Sequence, residues 1–349
     1  MRQAAILIVL SLLLAAACLL LTVPSSPSGA DHETPASRRT FAFTYQVHVP
    51  NRKDAKGKML LWIPIPQRDA YQKIDDLQIA SPVSHSSGHE SQYGNSYALF
   101  EPTRAQLDSG FDLSVRFVAT RLEHKVSLDS PQAKIVAFPS PTTPDLQRSL
   151  EPDELVPLNG VIRDLAAEHT SGDTTELAKA RHIYDYVLAT MRYDKSGEGW
   201  GRGDAIWACT SKRGNCTDFH ALFIGMMRAS GIPARFEIGF PLPEAKAAGD
   251  IPGYHCWAEF YLNAVGWVPV DASEASKNPG KRDYFFGAND PNRVLFTYGR
   301  DLRLSPDQHG GPLNYFIYPY AELDGKPVSG FQTHFSFRDL TPATPAPSR

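Results

Sequence analysis

Arg213 to Arg235 reads RGNCTDFHALFIGMMRASGIPAR, and its pattern is that of a helix with marked ends. Asn215 is a good N-cap residue, and Asp218 three positions on completes a capping-box pair. Phe219, Leu222, Phe223, Met226 and Met227 recur at i, i+3, i+4 spacing, which predicts an amphipathic helix anchored in a core. Gly231 closes the helix and Pro233 prevents its resumption. Cys216 thereby becomes the first helical residue. Unpaired backbone N–H groups and the positive end of the helix dipole meet there, and both favour a thiolate over a thiol. The same N–H groups suit a developing oxyanion. Gly214 leaves room for a substrate backbone to approach. The plain alternative is a small buried cysteine, since free cysteines are often buried.

A second stretch supplies partners for a reactive thiol. Gly253 to Ser273 reads GYHCWAEFYLNAVGWVPVDAS, two strand-like runs around a turn at Asn263–Gly266. His255, Trp257, Glu259 and Tyr261 fall on one face of the first strand. A plain four-residue turn would place Asp271 on the wrong face from His255. A five-residue or bulged turn pairs Tyr261 with Trp267 and Trp257 with Asp271. Asp271 then lies diagonal to His255 on the same face, roughly 7–8 Å away between Cα atoms. That register is the one expected. His255 would take the thiol proton and return it to a leaving group, and Asp271 would fix the imidazole tautomer. A satisfied core histidine and a strand-end cap are the plain readings of the same residues.

The order GNC, helix, GIPAR, HCWAEFY, GWVPVDAS resembles the transglutaminase-like superfamily, in particular its bacterial exported members. The resemblance is specific from about Tyr184 to Asp301, roughly a third of the chain. It extends more loosely to FFGANDPNRVLFTYGRDL and PLNYFIYPYAEL. It implies an α+β, papain-like core, with the nucleophile on a helix and the base and acid on neighbouring strands. It also implies that Cys216, His255 and Asp271 are a catalytic triad, with the Arg235 strand packed beside them. That superfamily includes cross-linking acyltransferases, peptidases, other amidases and members without the triad. This chain keeps all three residue types in order.

The remaining sequence sets the frame. The chain has 349 residues, 42% hydrophobic and 21% charged, with a formal net charge of −3. That composition is ordinary for a globular protein, and nothing in it points to nucleic acid. Residues 1–23 carry a short positive start and a long apolar run, which reads as a signal peptide or N-terminal anchor. Cys18 is a candidate lipid-attachment site. Residues 24–39 read as a flexible linker. Period-2 alternation in FAFTYQVHVP and FDLSVRFVATRLE, with the apolar run MLLWIPIP, predicts a β-sandwich-like domain over 40–138. PSPTTPD at 139–145 marks a boundary, and the transglutaminase-like domain is expected over 146–335. Within it, Leu177, Ala180, Tyr184, Val187 and Met191 predict a helix. The Pro/Thr-rich end, 340–349, reads as a disordered tail.

Trp207, Trp257 and Asn215 are candidates for the substrate cleft or oxyanion site; Trp200 lies with Trp207 in the Gly-rich loop before Cys216, where a packing tryptophan is the plain reading. Asp218 reads as the helix cap; His220, one turn after Cys216, reads as a surface histidine, with contact to the site as the alternative. In an exported chain, Cys209 and Cys256 are candidates for a disulfide. A zinc site from Cys209, Cys216, His255 and Cys256 is disfavoured, because the close C-x2-C pair is missing and strand geometry sends His255 and Cys256 to opposite faces. No acidic cluster of the EF-hand kind supports calcium, and no cofactor is expected. The expectation is an exported thiol enzyme, periplasmic or associated with the cell envelope. It would form a thioester from a peptide or carboxamide and release it to water. The substrate would be a peptide or protein, with cell-envelope material within reach, and only the N-terminal segment would touch membrane. A glutamine acyltransferase is the alternative, as is a binding module on an inert core.

Overall fold

The computed structural model describes residues 37–340 apart from 54–55, 130–143, 264 and 306. The expected signal segment, most of the linker, the boundary at 139–143 and the tail beyond 340 lie outside these residues. The N-terminal part is β1 (Arg38–Val49), β2 (Met59–Pro64), β3 (Gln72–Ala80), β4 (His85–His89), β5 (Ser96–Phe100), the short α1 (Arg104–Ser109), β6 (Phe111–Leu122) and β7 (His124–Lys125). Next come α2 (Pro144–Arg148), α3 (Gly160–His169), α4 (Glu176–Thr190), β8 (Arg192–Tyr193), α5 (Ala205–Ser211), β9 (Arg213–Gly214), α6 (Cys216–Ala229) and β10 (Ala234–Pro241). The chain closes with β11 (Ala248–Ile251), β12 (His255–Leu262), β13 (Gly266–Val270), α7 (Ala272–Lys277), β14 (Ala288–Asn289), β15 (Arg293–Tyr298), β16 (Tyr320–Leu323), β17 (Lys326–Val328) and β18 (Gln332–Asp339).

The alternation in β1 works as its period dictates: Phe41, Phe43, Tyr45 and Val47 are all enclosed. The fold is α+β. Its β-rich region holds two antiparallel five-stranded sheets, β11-β18-β1-β6-β3 and β17-β16-β2-β5-β4. Both recruit strands from the C-terminal end, so strands from the two sides of 139–145 share sheets. They also share one core. Phe43 of β1 lies 5.5 Å from Phe240 of β10 and 5.8 Å from Phe296 of β15, ring to ring. Phe240 in turn lies 4.3 Å from Phe335 of β18. The apolar face of β1 is therefore covered by the strands of the other half, and the two regions are not separate cores.

The papain-like part is a four-stranded antiparallel sheet, β13-β12-β10-β15, with α6 packed on it and α3, α4, α5 and α7 around α6. β15 is its edge, and an open edge invites wrong pairing. Two side-chain amides close it. Gln72 accepts from Leu295 N and donates to Leu295 O, both at 2.8 Å. Asn95 accepts from Tyr298 N at 2.7 Å and donates to Tyr298 O at 2.8 Å. On the inner side, Gly239 sits at a register shift between β10 and β15. A Cβ there would lie 1.8 Å from Val294 O, so only glycine lets β15 come this close.

Candidate active site

α6 begins where its sequence says. Asn215 Oδ1 accepts from Thr217 N at 2.9 Å, Asp218 Oδ2 accepts from Asn215 N at 2.9 Å, and Cys216 is the first helical residue. The expected amphipathic face is absent, because every residue from Cys216 to Arg228 is buried. Helices cover the side turned away from the sheet, and the polar members find partners inside. Arg228 Nη1 pairs with Asp153 at 2.7 Å, and Thr217 Oγ1 lies 3.0 Å from Tyr254 Oη. Asp218 is more than a cap. Its carboxylate also accepts from Gly201 N at 2.7 Å and Gly203 N at 3.0 Å, which ties the Gly-rich loop to the helix. This corrects the reading of Gly214. A Cβ there would lie 2.3 Å from Asp218 Oδ2, so the space is taken by the cap and not kept for substrate.

The β12–β13 hairpin takes the expected register, with Tyr261 opposite Trp267 and Ala258 opposite Val270. Leu262 also pairs with Gly266, so the turn shortens to 263–265. Asp271 follows β13 and fills two roles. It caps α7 by accepting from Glu274 N at 3.0 Å through Oδ1, and its Oδ2 lies 2.7 Å from His255 Nε2. The other ring nitrogen, Nδ1, is left for Cys216, with which His255 shares a hydrogen bond.

The electrostatics follow from that series. Burial drives Cys216 up, but hydrogen bonds from Cys256 and His255 and the imidazolium charge outweigh it, and the thiol is held well below its ordinary value. Burial drives His255 down, yet the charge of Asp271 and its hydrogen bond raise it to about 10. Burial raises Asp271, and the charges of His255 and Arg293 hold it well below the usual carboxylate range. A lowered thiol beside a raised imidazole favours a thiolate–imidazolium pair, whose two groups titrate as one unit. Burial and the neighbouring Cys216 push Cys256 up, so it stays a thiol and donates.

Several sequence candidates lie elsewhere than expected. Trp257 is fully enclosed, its Nε1 donating to Glu237 Oε2 and its ring lying 4.8 Å beneath the Arg293 guanidinium. It is a shelf inside the protein, not a cleft wall; strand parity gives its face but not what covers that face. Trp207 packs on the Gly-rich loop at Gly199, with the Arg213 guanidinium 5.9 Å from its ring. Trp200 Nε1 donates to Gly197 O at 3.0 Å within that loop. Asn215 is committed to its cap and to Tyr254 Oη, 3.1 Å from Nδ2. With Asn215 committed, the Cys216 N–H is the candidate for an oxyanion donor at the helix start.

His220 is not at the surface. It is fully buried; Nε2 accepts from Ala272 N at 3.1 Å, Nδ1 lies 3.8 Å from Cys256 Sγ, and burial lowers it to about 4. A neutral histidine thus joins the helix that begins with Cys216 to the strand end that carries Asp271. Cys209, Cys216 and Cys256 are all free, so no Cys209–Cys256 disulfide forms. The Cys209 thiol turns back on Ile206 O at 3.1 Å, inside its own helix and away from the proposed zinc ligands. Sequence reasoning missed Arg293, whose Nη1 donates to Asp271 Oδ2 at 3.0 Å. An arginine opening an apolar strand gives no cue that it turns inward. It also missed Tyr254, although it directly precedes His255.

Residues 163–272 match the sequence profile of the transglutaminase-like superfamily. An uncharacterised protein of Haemophilus influenzae is 28% identical over 337 residues, covering 86% of this chain and 90% of its own. The uncharacterised protein YebA of Bacillus subtilis is 25% identical over 134 residues, 34% of this chain and 18% of its own. A crystal structure of a candidate cysteine protease from Cytophaga hutchinsonii superposes with a TM-score of 0.61 at 17% identity, covering 88% of this chain and 91% of that one. At that identity the likeness speaks for the fold.

Proposed function

Because the chain belongs to the transglutaminase-like superfamily over residues 163–272, we propose that it is a Cys216-dependent acyl-transfer enzyme acting on peptide or carboxamide carbonyls. The observation that carries this is the 2.7 Å bond between His255 Nε2 and Asp271 Oδ2, set behind a thiol at the first position of α6. Cys216 Sγ adds to the carbonyl carbon, and the C=O electron pair moves to oxygen beside the Cys216 N–H. The tetrahedral adduct collapses, the C–N bond breaks, and the leaving amine takes the proton from His255 Nδ1. A thioester remains. His255, now neutral, takes a proton from water, the hydroxide adds to the thioester, and the acid leaves as thiolate and imidazolium re-form.

Hydrolysis is favoured over cross-linking because Cys216 is only 2% exposed. So buried a thioester is reached more readily by water than by a lysine borne on another protein. Cross-linking of glutamine to lysine is the second reading, since both reactions share every step up to the thioester. The apolar run within residues 1–23 supports export, which would put peptides and proteins of the cell envelope within reach as substrates.

The test is iodoacetamide alkylation of Cys216 against pH, read by peptide mass spectrometry, in wild type and His255→Ala. It is joined to product analysis on glutamine-containing peptides with and without a primary amine. The expected result is alkylation well below pH 8.5 that depends on His255, with acid as the product. Identical profiles in the two proteins would remove the thiol enzyme. Isopeptide in excess of acid would replace hydrolysis by cross-linking.

A further inference from the structure

The carboxylate of Asp271 is saturated. Oδ1 accepts from Ser273 Oγ at 3.1 Å and Glu274 N at 3.0 Å, and Oδ2 accepts from His255 Nε2 at 2.7 Å and Arg293 Nη1 at 3.0 Å. A carboxylate offers about four lone-pair sites, so it has no freedom left to rotate. Among the four donors, Arg293 is the one that brings a permanent charge. It is 2% exposed, its guanidinium lies over the Trp257 ring, and its Nη2 is 3.5 Å from Asp290 Oδ2. Its Nε has no partner among the described residues. What sets this guanidinium apart is that Nη1 reaches the same carboxylate oxygen as His255 Nε2. The close approach of β15 at Gly239 is what brings it there.

The geometry points to Arg293 as a positioning residue: it holds Asp271 Oδ2 against His255 and offsets the carboxylate charge, and so sets the pH window in which Cys216 and His255 exist as an ion pair. This rests on reading Cys216, His255 and Asp271 as one unit. Several groups face them. α6 brings Cys216, Asp218 and His220; β12 and the residue before it bring Tyr254, His255 and Cys256; and Tyr315 and Tyr318 face Cys216 from the segment before β16. α7 brings Glu274, whose Oε1 is 3.9 Å from His255 Nε2 and is paired with Lys277. α4 and β8 bring Tyr184 and Tyr193. β15 and the turn before it bring Arg293 and Asp290. His220 and Cys256 are neutral, so Arg293 is the buried cation that balances Asp271. Without it, a proton is held more tightly on both the thiol and the imidazole. Both limbs of the ionisation then move to higher pH together.

The size follows from distance. Arg293 Nη1 and His255 Nε2 reach the same oxygen, so they lie no more than 2.7 + 3.0 = 5.7 Å apart. A unit charge at that range, at an effective dielectric of ~20, displaces a titration by about one to two pH units after relaxation.

The experiment compares wild type, Arg293→Gln and Arg293→Lys. It reads the His255 midpoint by imidazole NMR and the acid limb of Cys216 alkylation by mass spectrometry. The expected result is an upward displacement of the His255 midpoint by about one to two pH units in Arg293→Gln, a smaller displacement of the Cys216 limb in the same direction, and return of both toward wild type in Arg293→Lys. Asp290→Asn, at a partly exposed position, removes a negative charge beside Arg293 and is expected to move the same midpoints down. That arm serves if Arg293→Gln does not fold. Midpoints that stay in place in Arg293→Gln, or that do not fall in Asp290→Asn, would overturn the assignment. So would an Arg293→Lys profile that matches Arg293→Gln. A purely structural arginine would lower the melting temperature and leave the midpoints alone. An inert Cys216 with a displaced His255 midpoint would sink the proposed chemistry and the ion-pair part of this inference, and leave standing only that Arg293 positions Asp271 against His255.

Discussion

Asp271→Asn is the sharpest perturbation of the site, because it keeps the shape and changes the charge. Asparagine can still cap α7 through its oxygen. Its amide nitrogen would then face His255 Nε2 and Arg293 Nη1, which are both donors aimed at Oδ2. Flipping the amide only moves the conflict to Glu274 N and Ser273 Oγ. The magnitude comes from His255, held at about 10 against an ordinary 6.5. That difference of 10 − 6.5 = 3.5 units is on the order of 5 kcal/mol of preference for imidazolium. With the carboxylate gone, burial and the Arg293 charge oppose the imidazolium, only Cys216 still favours it, and the ring is expected to become largely neutral at pH 7. Cys216 then reverts toward an ordinary thiol near 8.5, ionised to about one part in a thousand at pH 5.5. A more basic thiolate is also intrinsically more nucleophilic, so the alkylation rate at that pH falls less, by about ten- to a hundredfold.

The assay is iodoacetamide alkylation of Cys216 across pH 5 to 9.5 in the two proteins, with the melting temperature recorded beside it. The curves are expected to separate widely in acid and converge in alkali. Leaving Arg293 buried without its carboxylate is expected to cost about 3–5 kcal/mol of stability. Turnover on any amide substrate is expected to fall by about three to four orders of magnitude. Superimposable alkylation curves would refute the reasoning, since they would mean that Asp271 does not hold the imidazolium.

Asp218→Asn is expected to loosen the Gly-rich loop, since one carboxylate serves the N–H groups of Gly201, Gly203 and Asn215. The predicted cost is about 2–4 kcal/mol with faster tryptic cleavage after Arg202, read by limited proteolysis. Gly239→Ala is expected to force β15 away from β10, at a cost above ~3 kcal/mol in denaturant titration, and to abolish the acid shift of Cys216 alkylation. Glu237→Gln is expected to stabilise the protein at neutral pH. Burial and the charge of Glu259 raise Glu237 well above an ordinary glutamate, so the folded state keeps a proton that the unfolded chain gives up above about 4.5. Wild-type stability should therefore fall as pH rises from 5 to 8, by up to ~1.4 kcal/mol per unit from this group. Denaturant midpoints at the two pH values should show that slope reduced in Glu237→Gln.

The legible parts of the sequence were those whose signals are local. The cap and stop of α6 lie within a few residues of the helix they define, and the β12–β13 register follows from which faces His255 and Asp271 must share. The parts that stayed hidden depend on what covers a face. Parity puts Trp257 beside His255, but it says nothing of Arg293 lying on it from β15. Hydropathy sends His220 to the surface, because a histidine in a helix carries no mark of the Ala272 N–H it will accept. The pairing of β1 with β18 joins residues about three hundred positions apart, such as Phe41 and Asp339, and no local pattern encodes it.

That long-range pairing bears on the chemistry. Arg39 of β1 is buried, donates to Asp339 of β18 at 2.9 Å, and reaches Asn292 Oδ1 at 2.8 Å, one residue before Arg293. Gln72 of β3 holds Leu295, two residues after it. The β-rich region thus grips the start of β15 from both sides, and β15 carries the cation that balances Asp271. The same region roofs the polar face of the papain-like sheet, where His124 of β7 lies 3.2 Å from Glu259 and Arg235 is stacked between Trp267 and Tyr298. A carboxylate exposed to water would polarise His255 far less, because solvent screens the pair. The N-terminal strands thus hold the strand that carries Arg293, and loosening them is expected to weaken the proposed thiolate–imidazolium pair, read as a rise in the acid limb of Cys216 alkylation.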